Sequence, residues 1–410
     1  LGFDVRKHGA VAYEAMRINE DGEVGISTND PQTLLHLKSD DPTLRIQRYN
    51  QSAYGDITAD TAGKITFKSD PGDAASSDGF SFTVDNSEKV VISSDGDIKT
   101  NNLPGRNKII NGNFHVWQRS TSSSSNGYVA ADRWYQNLSG ASMTFSRQTH
   151  TNPIDGSRYY GRIASTSSSD YCGIFQRIED AASIPEGKAT LSFWARGHVN
   201  GNLAAWITIH YDSSADVDIA QQTTPYLQND STFRKYSLTF DIPSHSGKTF
   251  GPDSYFQIAL GQGTYNSASS WTLDISNIQF EVGSVATAFE QRSYADELRL
   301  CQRYCVVYGD DDEVHLGIGA AYNSTNINLT ISTPVTMKDQ PAISRVNNGS
   351  SVWLQSYLGA TGQNSDASIE VGEKVNNNIR VYCQTTGHSS LSVGQALWCQ
   401  VLPNAKLILS

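Results

Sequence analysis

The amino-acid sequence predicts an all-β protein, and two kinds of observation lead to that prediction. The first is composition: only 18% of the 410 residues are charged, against about 25% in an average soluble protein, and Gly, Ser, Asn and Thr fill the difference. Small polar residues compete with the helical backbone, whereas Thr, Tyr, Val and Ile suit short strands. The second is a recurring turn followed by alternating apolar and polar residues, as after Asp21-Gly22 and Asp95-Gly96.

The first predicted region, residues 1–100, is a series of very short strands. Runs such as 23–26, 43–46 and 80–84 hold four or five residues each, between turns. Strands of this length cannot bury their own apolar side chains. We therefore predict that identical neighbouring chains supply the missing cover, and the alternative is a small β domain that folds on its own.

The second predicted region, residues 107–290, is a jelly-roll β-sandwich. It follows a polar stretch with a Pro-Gly pair, residues 99–108, which is typical of a linker. Longer strands then recur at spacings that suit two packed sheets. These predicted strands are residues 189–196, 204–211, 235–242, 255–260 and 271–281.

One connecting helix is predicted after the sandwich, within residues 291–309. Ser293 has the properties of an N-cap, Asp296 follows three residues later, and the pattern continues to residue 308. The apolar stripe of this predicted helix consists of Leu298, Cys301 and Cys305. Because isolated helices of this length are marginal in water, we expect the stripe to pack into protein.

The last predicted region, residues 310–410, is a small C-terminal β-sandwich. Short strands return here, separated by turns rich in Asn and Gly. The predicted strands are residues 326–332, 351–357, 378–383 and 396–402.

Several classes of function are disfavoured by the same sequence. The formal net charge is −11 and no region is basic, which argues against nucleic acid as a partner. The sequence contains no run of about 18 apolar residues, so no membrane span is predicted. The five cysteines are scattered along the sequence and are expected to be free thiols. Because no catalytic motif occurs, we predict that the protein is not an enzyme. Because Leu1 follows no Met or leader, we expect a processed or truncated piece of a longer chain.

Three stretches carry a resemblance to a known class of proteins. They are GEVGIST at 22–28 with LHL at 35–37, NKIINGNFHVWQR at 107–119 with ADRWY at 131–135, and FEVGSVATAFE at 280–290 leading to CQRY at 301–304 and PVTMKDQP at 334–341. They resemble bacteriophage tail fibres and related receptor-binding proteins. The first is similar to a fibre shaft repeat, and the second to the opening of a jelly-roll module of the carbohydrate-binding type. The third, with the loop behind it, is similar to the helical connector of such fibres.

The resemblance implies a function and a set of partners. It implies a homotrimeric, non-enzymatic fibre with residues 1–100 as a trimeric shaft, located on the virion outside the cell. Its partners would be upstream tail or fibre proteins and a glycan on the host-cell surface. A purely structural fibre segment for trimeric tail assembly is the alternative, and a polysaccharide-degrading tailspike is a third possibility. Residues 345–410 lie outside the resemblance.

Six side chains are candidates for a sugar-binding surface. Alternation along the strands sends one set of residues inward and the other set outward. The outward set consists of Trp194, Arg196, Trp206, His210, Tyr255 and Gln257. If the three strands share a sheet, two indole rings, a phenol and polar groups converge, which is the combination that sugars favour. The competing interpretation is that Trp194 and Trp206 cover a trimer seam or a loop.

Two acidic positions are candidates for a metal ion. Asp274 lies in the last predicted strand of the jelly roll, near which carbohydrate-binding modules often hold a structural calcium ion, and a carboxylate facing water is the alternative. Residues 310–313 are four consecutive acids without the spacing of a calcium loop, so we interpret them as a solvated turn. No other cofactor is predicted.

Overall fold

A computed structural model provides the structure of the protein. It describes residues 1–5, 13–40, 42–47, 54–59, 65–69, 79–84, 87–93, 98–100, 105–138, 143–166, 172–197, 202–225, 227, 232–262, 271–309, 314–346, 354–358, 361–364, 368–375, 378–384, 391–403 and 405–410. The chain folds as two compact units, Leu1–Asn101 and Asn102–Ser410. The acidic run at 310–313 lies outside the described residues.

The first unit consists of short strands in three small sheets. The strands are β1 (Gly2–Val5), β2 (Tyr13–Ile18), β3 (Val24–Ile26), β4 (Leu35–Leu37), β5 (Thr43–Gln47), β6 (Tyr54–Ala59), β7 (Ile65–Ser69), β8 (Gly79–Val84), β9 (Ser87–Ser93) and β10 (Ile98–Thr100). Their sheet orders are β1-β2-β3-β4, β5-β6-β7 and β10-β9-β8. Among the described residues of this unit, no hydrophobic side chain is buried.

The second unit begins with two packed antiparallel sheets. The strands are β11 (Ser122–Ser123), β12 (Tyr135–Leu138), β13 (Met143–Ile154), β14 (Ser157–Ser165), β15 (Cys172–Glu179), β16 (Gly187–Arg196), β17 (Leu203–Asp212), β18 (Val217–Thr223), β19 (Arg234–Ile242), β20 (Phe250–Gln262) and β21 (Trp271–Val282), with a short 3-10 turn at Ala181–Ser183. One sheet has six strands in the order β11-β13-β14-β21-β16-β19, and the other has five in the order β12-β15-β20-β17-β18. This confirms the predicted all-β, jelly-roll sandwich.

The core of the sandwich follows from alternation along its strands. Leu191 and Phe193 on β16 face Ile207 and Ile209 on β17, and all four side chains are at most 1% exposed. The residues between them point away from the core, as a strand period of two requires. The two outer faces therefore carry the polar and aromatic side chains that are available for binding.

The helix α1 (Tyr294–Gln302) is shorter than predicted. Ser293 caps it as expected, but the helix ends at Arg303, and Val306–Tyr308 forms strand β22, which pairs with the last strand of the chain. β-Branched valines favour that extended pairing over another helical turn. Among the described residues, no helix is long and apolar enough to cross a membrane.

The stripe of the helix is packed as predicted at its two thiols. Cys301 is fully buried and Cys305 is 2% exposed, whereas Leu298 is half-buried. Both thiols are free, and burial raises the pKa of Cys305 to about 12. A buried carboxylate, Glu297, accepts a hydrogen bond of 2.5 Å from the backbone N–H of Asn111 and so ties the helix to the sandwich.

The remaining strands build two further sheets around a second core. They are β22 with β23 (Val314–Ala321), β24 (Asn326–Ser332), β25 (Ile343–Val346), β26 (Leu354–Leu358), β27 (Thr361–Asn364), β28 (Ser368–Val375), β29 (Asn378–Gln384), β30 (Ala396–Val401) and β31 (Lys406–Leu409). The sheet orders are β22-β31-β25 and β27-β26-β30-β23-β24-β29-β28. Ile327, Leu329 and Leu397 are at most 1% exposed in this core.

Candidate functional site

The six predicted binding residues do not lie on one sheet. Trp194 and Arg196 belong to β16 in the six-stranded sheet. The other four belong to the five-stranded sheet, on β17 and β20, and they are Trp206, His210, Tyr255 and Gln257. Since the sheets pack face to face, the two outer faces point in opposite directions. The expected convergence of both tryptophans on one surface is therefore wrong.

Trp194 and Arg196 on β16 each have side-chain partners of opposite or complementary chemistry. Arg162 Nε lies 2.6 Å from Asp274 Oδ1 and Arg196 Nε lies 3.0 Å from Asp274 Oδ2, with Asp274 only 3% exposed. Trp194 donates its indole N–H to Asp155 Oδ2 at 2.9 Å. Two guanidinium groups occupy both oxygens of Asp274, and their charge opposes a calcium ion there. Within the described part of the chain, no group of three or more His, Cys, Asp or Glu side chains is placed to hold a metal ion.

Part of the outer face of the six-stranded sheet, on β21, is covered by the chain itself. Gln279 and Glu281 on β21 point outward, yet both are at most 2% exposed. The segment after β21 lies over them, because the backbone N–H of Thr287 donates to Glu281 Oε1 at 2.9 Å and that of Glu290 donates to Gln279 Oε1 at 2.8 Å. This part of the face is therefore closed to a ligand.

The outer face of the five-stranded sheet presents aromatic side chains in register. Trp206 on β17 pairs with Ala259 on β20, which pairs with Phe175 on β15, which pairs with Tyr135 on β12. The Phe175 and Tyr135 rings stack, with centroids 4.5 Å apart and planes 15° apart. Ala259 has a small side chain and lies between Trp206 and Phe175. The surface is therefore lower at Ala259 than at the aromatic side chains on either side.

A second aromatic pair lies further along the same two strands. His210 on β17 is opposite Tyr255 on β20, and their rings stack with centroids 4.6 Å apart at 23°. His210 Nδ1 lies 2.8 Å from Asp216 Oδ1. Both rings are only half-buried, so the stack presents an edge to solvent.

Polar side chains fill the row between the two aromatic rows. Arg177, Gln257 and Thr208 are in register across β15, β20 and β17. Arg177 Nε donates to Gln257 Oε1 at 3.1 Å, and Thr208 Oγ1 donates to Asp218 Oδ1 at 2.7 Å. The face thus alternates aromatic rows with a row of hydrogen-bonding groups. We call it the aromatic face, defined by Tyr135, Phe175, Arg177, Trp206, Thr208, His210, Tyr255 and Gln257.

Sequence reasoning missed three members of the aromatic face. Tyr135, Phe175 and Arg177 lie on β12 and β15, which were not among the predicted strands. A usable signal was present, because Ile174 and Ile178 alternate with outward residues across Cys172–Glu179 and both are buried.

Comparison with known proteins gives likenesses in structure only. No family model and no curated protein matches the chain. Among solved structures, it is similar to the enzymatically active domain of tailspike protein 4 of bacteriophage CBA120, at 17% identity over 44% of this chain and 22% of that one, with a TM-score of 0.30. It is also similar to a family 11 carbohydrate-binding module from Clostridium thermocellum in complex with a β-1,3-1,4-mixed-linked tetrasaccharide, at 14% identity over 40% of this chain and 96% of that one, with a TM-score of 0.25.

A third similar structure is a carbohydrate-binding module of the β-sandwich superfamily, at 12% identity over 63% of this chain and 81% of that one, with a TM-score of 0.28. The chain spans about a fifth of the tailspike structure. TM-scores of this size carry no conclusion about function, which must come from the residues of this chain.

Proposed function

We propose that the protein is a non-catalytic, glycan-binding receptor-recognition protein, and that the aromatic face is its binding surface. The single observation that carries the proposal is the register of Trp206, the His210–Tyr255 stack and the polar row between them on one open face. Sugar rings combine apolar C–H faces with hydroxyl groups. Half-exposed aromatic rings spaced by hydrogen-bonding side chains match both features at once.

The hydrogen-bonding groups of the face suit hydroxyl ligands. Gln257 has an amide N–H2 that can donate while its oxygen accepts from Arg177, and Asp218 has acceptor capacity beyond its bond from Thr208. Trp206 is held in place by its indole N–H, which donates to Gln221 Oε1 at 2.7 Å. A fixed ring loses little conformational freedom when a ligand stacks on it.

The ionised state of Glu179, at the edge of the aromatic face, favours binding of a glycan over its hydrolysis. Glu179 is opposite Tyr255 and accepts hydrogen bonds from Arg303 and Tyr304. The hydrogen bond from Arg303 lowers the pKa of Glu179 below its ordinary value. A glycosidase needs a carboxylic acid with a raised pKa to protonate the leaving oxygen, and Glu179 is held in the opposite state.

The test compares two tryptophans that differ in their sheet. Trp206→Ala removes a ring from the aromatic face, and Trp194→Ala removes a ring on the opposite sheet that is also half-buried and also donates its indole N–H to a side chain. We expect Trp206→Ala to weaken glycan binding by about tenfold or more, and Trp194→Ala to leave it within about twofold. The measurement is a glycan array with the full chain, followed by titration calorimetry with the best ligand.

Two results would contradict this proposal. One is a parent protein that binds no glycan on the array or on host cells. The other is an equal loss of binding in both variants, or none in Trp206→Ala, with thermal unfolding showing that all three proteins are folded.

We further propose that the protein is a tail fibre of a bacteriophage, located on the virion, and that the unit Leu1–Asn101 is its homotrimeric shaft. The support is that the sheet β5-β6-β7 is inverted, since it exposes apolar side chains on one face and buries polar side chains on the other. Five apolar side chains share one face by register and are 36–68% exposed, and they are Leu44, Ile46, Ile57, Ile65 and Phe67. On the other face Asp56 and Thr58 are buried, at 7% and 8%. Copies of the same chain packed around a closed axis would cover the apolar face.

The same inverted sheet also favours the second candidate function, a structural segment whose role is tail assembly. The two candidates make different predictions for the aromatic face. A structural segment would trimerise without binding any glycan, whereas a receptor-recognition fibre would do both.

A further inference from the structure

A large cavity adjoins the aromatic face within the second unit. Its volume is about 910 Å³, and it lies between β15 and β20, the end of α1, and the loop around Lys338. Arg177 and Tyr255 line the cavity and also belong to the aromatic face. The cavity and the face are therefore continuous.

The cavity has an unusual charge for this chain. Five basic and three acidic side chains line it, although the whole protein carries a formal net charge of −11. Three of the basic side chains have carboxylate partners. Those pairs are Arg119 with Asp132, Arg303 with Glu179 and Lys338 with Asp253. Arg133 and Arg177 have no carboxylate within ion-pair distance in the described part of the chain.

Arg133 is a buried cation with an unused hydrogen-bond donor. Arg133 is 7% exposed, and its Nε–H has no hydrogen-bond partner among the residues that the structure describes. Its guanidinium lies 3.4 Å from the centroid of the Tyr304 ring and donates through Nη2 to the backbone oxygen of Arg177. A buried charge without an opposite charge is costly, so an anion in the cavity that Arg133 lines would offset part of that cost.

Arg177 supplies a second guanidinium group to the lining of the same cavity. Its guanidinium lies 4.4 Å from the centroid of the Tyr255 ring, and the His210 ring stacks on the same Tyr255 ring. Its Nε is used by Gln257, which leaves its terminal nitrogens for a ligand. An anion bound in the cavity that both residues line would therefore be attracted by two guanidinium groups that have no carboxylate partner within the described chain.

We propose that this cavity binds an anionic group of the glycan, a carboxylate, sulfate or phosphate carried by one sugar residue, while neighbouring sugar residues lie on the aromatic face. The inference rests on the proposed glycan-binding function and narrows it to acidic glycans. Tyr128, Tyr255 and Tyr304 line the same cavity and supply the apolar and hydroxyl contacts that a sugar ring needs.

The experiment uses a glycan array of matched pairs on the full chain. Each acidic oligosaccharide, bearing a uronate, sialic acid, sulfate ester or phosphate ester, is printed beside its neutral counterpart. We expect at least tenfold stronger binding to acidic members, and this preference should fall as salt is raised. The preferred pair is then titrated against Arg177→Gln, Arg177→Lys and Arg147→Gln.

The variants separate charge at the cavity from general effects. Arg177→Gln should weaken binding of the acidic glycan about tenfold more than it weakens binding of the neutral counterpart, and Arg177→Lys should keep part of the preference. Arg147→Gln is the matched control, since Arg147 is also exposed and lies over a tyrosine, but on the six-stranded sheet.

The outcomes distinguish the two proposals. Binding of neutral glycans as tightly as acidic ones, or an acidic preference that survives Arg177→Gln, overturns the anionic subsite and leaves the aromatic face standing. A chain that binds no glycan of either kind overturns both.

Discussion

His150 illustrates how the fold changes the chemistry of a single residue. It is 8% exposed, its ring lies 4.7 Å from that of Tyr160 and 4.9 Å from that of Phe233, and its Nε2 is 3.3 Å from Ser276 Oγ. Burial, with a smaller contribution from Arg196, lowers the pKa of His150 from 6.5 to about 4. The folded protein therefore keeps this imidazole neutral where the unfolded chain would protonate it.

The lowered pKa of His150 predicts a loss of stability in acid. Above pH 6.5 neither state binds the proton. As the pH falls from 6.5 towards 4, the unfolded chain binds it and the folded state does not, so the free energy of unfolding decreases. Glutamine does not titrate in this range, so His150→Gln removes the proton uptake of the unfolded chain at this position. Its unfolding temperature should therefore fall less than that of the parent between pH 7 and pH 4.5. Equal decreases in the two proteins would contradict the prediction.

Elements whose alternation is regular could be predicted from the sequence, and others could not. Residues 189–196 and 204–211 match β16 and β17 closely, because an apolar residue occupies every second, inward position there. β13 was missed, since only Met143 and Phe145 alternate as apolar residues at its start and residues 146–152 are all polar. Whether two strands share a sheet depends on long-range pairing, which a local pattern does not contain. That is why Trp194 and Trp206 were placed together.

The tail of the helix was mispredicted for a similar reason. Cys305 continues the stripe of α1 in sequence and is buried, yet it reaches the core from the turn after the helix. The competing strand pairing of Val306–Tyr308 with Lys406–Leu409 joins residues about 100 positions apart, and the local sequence gives no sign of it.

The N-cap of this helix gives a prediction at the scale of an element. Ser293 Oγ accepts from the backbone N–H of Asp296 at 3.1 Å and donates to its Oδ2 at 2.6 Å. Ser293→Ala removes both bonds and should lower the free energy of unfolding by about 1 kcal/mol. Ser293→Asp keeps an acceptor at the cap and should lose less. Urea denaturation followed by circular dichroism measures both, and an alanine variant as stable as the parent would show that the cap contributes nothing.

At the scale of the whole molecule, the two units bury apolar side chains in opposite ways. The second unit has two cores, whereas every described Val, Leu, Ile, Met or Phe side chain of the first unit is at least partly exposed. Composition and strand length predicted that the first unit would not bury its own apolar side chains, and their cover by neighbouring chains stays a prediction. They could not identify the face involved, because that requires the register that places Leu44, Ile57 and Phe67 in one row.

The proposed homotrimer can be tested on that row. Ile46 and Phe67 are 68% and 59% exposed on the apolar face, and burying them between copies would contribute roughly 2 kcal/mol each. Light scattering of the parent at micromolar concentration should give three times 44.8 kDa. Ile46→Asp with Phe67→Asp should shift it towards 44.8 kDa, because a buried unpaired carboxylate is costly. Ile318→Asp, at a side chain 65% exposed in the second unit, is the control and should remain trimeric. A monomeric parent, or equal dissociation of the control, would exclude a shaft built on this face.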